Sequence, residues 1–269
     1  MVIFPNAKIN LGLNIVEKRS DGFHNIETCF IPVNWCDIIE ITEAKKTSFT
    51  STGIDIPGDP TTNLSLKAYE LLRKDYNLPP VSIHLHKNIP IGAGLGGGSS
   101  DAAFVIKALS EKYNLIFENE ILKFYASFLG SDCSFFIDNV PSMAYEKGDV
   151  LHPINLDLTG KFIVLVYPDL HVDTKTAYSG VKAKKPEYNL EETLLKEPIE
   201  KWKDFVFNDF EAGVFAKFPQ VAEVKKQFYS SGAIYSAMSG SGSTVFGIFN
   251  DEVAFDSFPT NYKIWSGKL

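Results

Sequence analysis

The stretch Pro90-Ile91-Gly92-Ala93-Gly94-Leu95-Gly96-Gly97-Gly98-Ser99-Ser100-Asp101-Ala102-Ala103 decides how the rest of the chain is read. Its glycines, Gly92, Gly94, Gly96, Gly97 and Gly98, leave the backbone free to take positive φ and to turn its N–H groups outward. Successive N–H groups facing one side form an anion-binding nest. Ser99, Ser100 and Asp101 then open an apolar run, Ala102-Ala103-Phe104-Val105-Ile106, that predicts a helix. A glycine loop feeding a helix N-terminus holds phosphate through free amides and the positive end of the helix dipole. The competing reading is a tight turn with a serine N-cap. One or two glycines would suffice for that.

Several kinds of phosphate loop can be weighed against this one. Gly92, Gly94 and Gly97 satisfy the G-x-G-x-x-G pattern of dinucleotide folds. That pattern needs its first glycine directly after a buried parallel strand and an acidic residue about twenty positions on. Here Lys87-Asn88-Ile89-Pro90-Ile91 separates the strand candidate Val81–His86 from Gly92, and Pro90 cannot sit in a central strand. Glu118 lies at about the right distance, so the dinucleotide reading is weakened and stays open. No Walker A lysine follows the glycines, and the protein-kinase catalytic loop and D-F-G set are missing.

The bulk composition is that of a globular protein. The 269 residues are 45% hydrophobic and 22% charged, enough for one large domain or two ordinary ones. A net charge of −7 argues against nucleic acid or an anionic membrane as a standing partner. Lys8 and Asn10 interrupt the first apolar stretch, no small-residue cleavage site follows, and no run reaches the ~18 apolar residues of a membrane span. Cys29, Cys36 and Cys133, odd in number and irregularly spaced, suit a reducing cytosol rather than a disulfide framework or zinc site. The expectation is a cytoplasmic protein. His84 and His86 share a strand face at a spacing a metal could use, but read as surface histidines for want of neighbouring ligands.

Periodicity predicts strands around Ile9–Ile15, Ile26–Val33, Asp37–Thr42, Val81–His86, Phe162–Tyr167, Ala233–Ala237, Thr244–Phe249 and Lys263–Trp265. It predicts helices after an Asn63 cap, over Ser99–Tyr113 and Asn119–Leu129, and around Leu190–Leu195, Asp209–Ala216 and Val221–Ser230. Residues 53–62 read as a loop. Strands and helices mix without strict βαβ alternation, so the fold class is α+β.

Three segments now carry a resemblance. The glycine loop resembles the Pro-x-Gly-x-Gly-Leu-Gly-Ser/Gly-Ser-Ser motif of the GHMP kinases, small-molecule kinases named after those for galactose, homoserine, mevalonate and phosphomevalonate. Asn6-Ala7-Lys8-Ile9-Asn10-Leu11 resembles the opening motif of their isoprenoid members, and Met238-Ser239-Gly240-Ser241-Gly242-Ser243 resembles their third motif. Two further segments, Arg19–Thr28 with Phe23-His24 and Leu129–Phe136 with Asp132, resemble the branch that acts on a cytidyl diphosphate ester of a sugar alcohol in the non-mevalonate isoprenoid route. Phe23 stands where that branch has tyrosine, and Cys133-Ser134 where it has Val-Pro. The first keeps an aromatic face and loses a hydroxyl; the second leaves the aspartate in place.

The resemblance implies a two-domain GHMP kinase fold, with an N-terminal domain like domain 2 of ribosomal protein S5 over 1–155 and a ferredoxin-like C-terminal domain over 156–269. It places the cut near Pro153–Gly160 and implies ATP and Mg²⁺. It also implies transfer of phosphate to the 2-hydroxyl of the cytidyl diphosphate sugar alcohol by a monomer or weak homodimer. For ATP it points to Pro90, Gly92, Gly94, Leu95, Gly96, Gly97, Gly98, Ser99 and Ser100, with Asn63 and Lys87 on the adenine side. Ser99 or Ser100 is the candidate Mg²⁺ ligand, with plain N-capping as the alternative. For the second substrate it points to Asn10, Phe23, His24, Thr174, Tyr178, Gly240 and Gly242.

Alcohol phosphorylation leaves the protein little covalent work, so positioning and electrostatics carry it. Asp132, just past a helix and before an aromatic pair, is the candidate general base, a role the resemblance supplies. Lys8 lies in an otherwise apolar strand, where a lysine rarely sits without a partner. Paired with Asp132, it would keep that carboxylate ionised. Another GHMP kinase of homoserine or mevalonate type, a dinucleotide-dependent dehydrogenase, and an inactive binding module on the same scaffold are the rival readings.

Overall fold

The computed structural model describes residues 1–255 and 258–269. The N-terminal part runs β1 (Val2–Ile3), β2 (Asn6–Lys18), β3 (His24–Cys36), β4 (Ile38–Glu43) and β5 (Ser48–Gly53), then α1 (Leu64–Tyr76) and β6 (Val81–Lys87). The helices α2 (Gly97–Lys112), α3 (Asn119–Ser127) and α4 (Phe135–Asp138) follow, then β7 (Ser142–Tyr145), β8 (Val150–Pro153) and β9 (Phe162–Tyr167). The rest is α5 (Thr174–Ser179), α6 (Leu190–Lys196), α7 (Glu211–Lys217), α8 (Pro219–Ser230), β10 (Tyr235–Met238), β11 (Val245–Phe249) and β12 (Lys263–Lys268). Helices and largely antiparallel sheets mix, which is the expected α+β class.

The described chain forms two compact units that each take several pieces of sequence. The first comprises 1–7, 34–91 and 96–140; the second comprises 8–33, 92–95 and 141–269.

The sheet of the first unit has the order β1-β4-β6-β5. β4 runs antiparallel to β6 and β5 parallel to it. The alternation of Val81, Ile83 and Leu85 puts their side chains on the buried face of β6, and Lys87 falls on that same face. Asn63 caps α1 as expected, its side-chain oxygen accepting the Ser65 N–H at 2.9 Å. α2 begins two residues earlier than its serines suggest. Gly96 is the N-cap, at φ +69° with no side-chain cap, so Ser99 and Ser100 lie within the first turn. The serine-capped turn is therefore not what forms. β5 is not among the strands that periodicity predicts: Ser-Phe-Thr-Ser-Thr-Gly is an exposed edge strand whose apolar periodicity is almost nil. On it, Thr50 and Thr52 pair with His84 and His86 of β6 at 2.8–3.0 Å, so both imidazoles have hydrogen-bond partners in the sheet.

The second unit holds two sheets, ordered β2-β3-β7-β8 and β10-β11-β9-β12. Its core joins Leu13 and Ile15 of β2 to Val164 and Val166 of β9, with Phe210, Val224 and Phe228 packed among them. β2 departs from a half-exposed strand. Alternation would put Lys8 and Asn10 in water, yet they are 4% and 2% exposed, so both faces are covered.

Candidate active site

In the second unit the three sequence motifs meet. The Lys8 N–H donates to the Leu95 carbonyl at 3.0 Å, tying β2 to the loop. The Lys8 ammonium donates to Asn10 Oδ1 at 2.7 Å and lies 4.7 Å from the Phe30 ring centre. Asn10 in turn donates through Nδ2 to Thr28 Oγ1 at 2.9 Å, and its backbone N–H reaches Ser239 Oγ at 3.3 Å. Ser239 Oγ also donates to the Gly94 carbonyl at 2.8 Å. Asn10 and Ser239 thereby link the opening motif to the third motif and to the glycine loop, which fixes their mutual placement.

The glycines are needed for two separate reasons. Gly94 sits at φ +79°, and a β-carbon there would lie 2.0 Å from the Ser239 carbonyl oxygen, so both conformation and close approach demand glycine. Gly97 has helical backbone instead; a β-carbon on it would meet Lys87 Nζ and Ile89 at 3.0 Å. Gly240 at φ +55° and Gly242 at φ +90° form the turn after β10. Asn208, which sequence reasoning missed, shapes that turn by donating to the Met238 and Gly240 carbonyls at 2.7 and 2.8 Å. An isolated asparagine in a loop offers no periodic signal by which to find it.

The residues expected around a pyrimidine also lie in the second unit. Phe23 is 61% exposed at the β2–β3 turn, where the Arg19 N–H donates to its carbonyl at 2.9 Å. His24 stacks on Tyr178 with ring centres 4.6 Å apart and planes 21° apart, and Tyr178 meets Phe210 edge-on at 4.8 Å. Burial, aided by Lys18, lowers the His24 pKa and so favours the neutral ring, which offers one donor and one acceptor. Thr174, at the start of α5, lies with its hydroxyl 3.4 Å from that of Ser241 in the third motif.

The first unit, described by itself, holds the start of α2, Asn63, Lys87 and Asp132. A cavity of ≈ 210 Å³ is lined by Ile56, Pro57, Asn63, Leu64, Gly98 and Asp101, among others. Beneath it lies a charged cluster that sequence reasoning reached only through Lys87. The Lys87 ammonium binds Asp101 Oδ2 at 2.8 Å and also Asp37 Oδ2. Asp37 Oδ1 accepts the N–H groups of Asn88 and Ile89 at 2.6 and 2.8 Å, holding the chain as it leaves β6 for the loop. Burial would lower the Lys87 pKa, but the two carboxylates raise it above its ordinary value. Burial, with Asp37 adding to it and Lys87 opposing, pushes Asp101 up to about 7. Asp132 lies half-buried in the turn between α3 and α4, beside Cys133, whose thiol burial pushes up to about 12.

The chain matches the GHMP kinases N terminal domain over residues 63–147 and the GHMP kinases C terminal domain over 190–259. A Bacteroides fragilis protein named 4-diphosphocytidyl-2-C-methyl-D-erythritol kinase is 52% identical over 256 residues, 94% of this chain and 93% of its own. This chain belongs to the GHMP kinase family. Among solved structures, a 4-(cytidine 5'-diphospho)-2C-methyl-D-erythritol kinase superposes with a TM-score of 0.78 at 32% identity, over 92% of this chain and 90% of that one. Homoserine kinase from Cytophaga hutchinsonii shares the fold, with a TM-score of 0.69 at 15% identity over 98% and 95% of the two chains. Members of this family use ATP as phosphate donor. Among the described residues, no helix is long and apolar enough to cross a membrane.

Proposed function

We propose that this GHMP kinase transfers the γ-phosphoryl group of ATP to the 2-hydroxyl of 4-diphosphocytidyl-2-C-methyl-D-erythritol, in the non-mevalonate isoprenoid route. The observation that carries the reading is the locked convergence of Lys8, Asn10, Gly94 and Ser239, a preassembled polar centre on a glycine loop. The name borne by relatives about half identical to this chain supplies the substrate. A cytosolic monomer or weak homodimer, with a domain boundary in the chain near Pro153–Gly160, belongs to the same reading.

In this mechanism the N–H groups of the loop and of the first turn of α2 cradle the triphosphate. Asp132 accepts the proton of the 2-hydroxyl as its oxygen attacks the γ-phosphorus, and the bond from that phosphorus to the β–γ bridging oxygen breaks to release ADP. Lys8 offsets negative charge that spreads over the transferring group, and Asn10 holds the Lys8 ammonium in place. Phe23 and Tyr178 stack on the cytosine, and neutral His24 reads its edge by hydrogen bonding. Asn63 and Lys87 stand on the adenine side. Lys87 would act there through its backbone, since both carboxylates engage its ammonium.

The hydroxyl chemistry of α2 suits Mg²⁺, a hard cation that takes a few protein oxygens beside phosphate. Ser100 Oγ is buried in the first turn with no hydrogen-bond partner, and it or Ser99 would hold the ion. When bound, Mg²⁺ would neutralise charge on the β- and γ-phosphate oxygens. The direct test is to incubate the purified protein with ATP, Mg²⁺ and the cytidyl substrate and identify the product by mass spectrometry. One added phosphate on the erythritol portion supports the reading; ATP hydrolysis with no phosphorylated alcohol refutes it.

A further inference from the structure

Lys107 is the one charged side chain in the run Ala102–Leu109 of α2. Half-buried in an apolar helix, a lysine pays a desolvation cost that a leucine or methionine would not. Burial lowers its pKa. Its ammonium reaches across to α4 and donates to the Ile137 carbonyl at 2.9 Å.

That carbonyl lies in the last turn of a four-residue helix, where carbonyls lack intrahelical partners and a cation is favoured by the helix dipole. So short a helix has no stability of its own and takes its position from its anchors. Its anchors are named side chains. Phe135 and Phe136 are 1% and 0% exposed, Ser134 Oγ donates to the Lys123 carbonyl at 3.2 Å, and Lys123 pairs with Asp138 at 2.6 Å. Lys107 alone among these polar anchors comes from α2. On the same side of α2, two turns earlier, the Ser99 hydroxyl and the Cys133 thiol both border Gly130. Asp132 precedes both Cys133 and Ile137 in sequence, next to Cys133 and three residues before α4.

We propose that Lys107 is a positioning residue that sets Asp132 against the phosphate-binding end of α2 by gripping the Ile137 carbonyl. The inference rests on the reading of Asp132 as general base. An in-line transfer tolerates little displacement of its base, and a shift of about 1 Å can cost up to about 10²-fold in rate.

The test compares wild type, Lys107→Met, Lys107→Arg, Asp132→Asn and the Lys107→Met/Asp132→Asn double variant, using ATP, Mg²⁺ and the cytidyl substrate. Lys107→Met should lower kcat about tenfold while KM for each substrate stays within about twofold. Lys107→Arg should restore kcat to within about twofold. The double variant should be no slower than Asp132→Asn alone, because Lys107 acts through Asp132. If Lys107→Met does not fold, Lys107→Gln, too short to reach Ile137, should show the same kcat loss. Unchanged kcat in the folded variants overturns the proposal. So does a loss that arginine does not rescue and that tracks melting temperature, or a further tenfold loss in the double variant. Full activity of Asp132→Asn by itself would instead show that the base assignment fails, and the positioning role would fall with it.

Discussion

Lys87 Nζ lies 2.8 Å from Asp101 Oδ2, an ion pair in which both side chains are only 4% exposed. Asp37 grips the same ammonium from the other side, so two carboxylates share one cation in the interior. Removing one partner of a buried pair leaves an uncompensated charge and costs about 3–5 kcal/mol. Lys87→Met, which strands both carboxylates, should therefore lower stability by at least about 3 kcal/mol in urea unfolding. A loss under 1 kcal/mol would show that the cluster is more hydrated than its burial indicates.

The same cluster gives stability a pH signature. Asp101 is raised to about 7 in the folded protein against about 3.9 unfolded. Between those values the folded state holds a proton that the unfolded state has lost. The contribution is thus complete below about pH 4 and disappears as pH rises through about 7. Asp101→Asn should remove this slope, at most about 1.4 kcal/mol per pH unit, and the difference in unfolding free energy between wild type and variant across pH 4–8 measures it. A difference that does not vary with pH would contradict it.

In the loop, Gly94→Ala should be far more damaging than an exposed Gly→Ala change. Its β-carbon would be 2.0 Å from the Ser239 carbonyl oxygen, at a φ of +79°. Gly96→Val places a β-branched residue at φ +69° at the start of α2 and should abolish ATP binding while circular dichroism stays native. Calorimetric ATP affinity equal to wild type in both variants would put the phosphates elsewhere.

Much of this arrangement was legible beforehand. The glycine loop, the capped α1 and the apolar run of β9 all carry local signals: turn chemistry, a side-chain cap, a continuous hydrophobic stretch. What escaped was non-local. Asp37 and Asp101 look like ordinary surface acids in sequence, and only the fold brings them to Lys87. Asn208 has no period to betray it, and β5 is a polar edge strand whose pairing with β6 is set by the partner. Likewise the alternation in β2 marked a strand but could not show that its Lys8 face is also covered.

Asp132→Asn and Lys8→Met should each lower kcat by roughly 10²-fold or more, with little change in nucleotide affinity. As groups acting together, their double variant should be barely worse than the worse single. Steady-state kinetics with both substrates varied makes the check, and full activity in Asp132→Asn would remove it as the base.

Stacking on cytosine predicts a different pattern. Phe23→Ala should cost on the order of 1–3 kcal/mol, the range for base–aromatic contacts, so KM for the cytidyl substrate should rise roughly 5- to 150-fold. Phe23→Tyr should be nearly neutral. His24→Ala removes both the edge-reading imidazole and the ring stacked 4.6 Å from Tyr178. It should weaken binding and narrow the preference for cytidyl over uridyl analogues. An unchanged KM in Phe23→Ala would place the base outside this pocket.

The cytidyl specificity of this kinase is read out by comparing kcat/KM, at saturating ATP and Mg²⁺, for four acceptors: 4-diphosphocytidyl-2-C-methyl-D-erythritol, the same sugar alcohol without its cytidine, homoserine and mevalonate. The cytidyl ester should be preferred over the base-free acceptor by roughly 30-fold or more, from stacking on Phe23 and Tyr178 at about 1–3 kcal/mol each. Homoserine and mevalonate should not be detectably phosphorylated. Equal turnover of the base-free acceptor, or faster turnover of homoserine or mevalonate, would contradict that specificity.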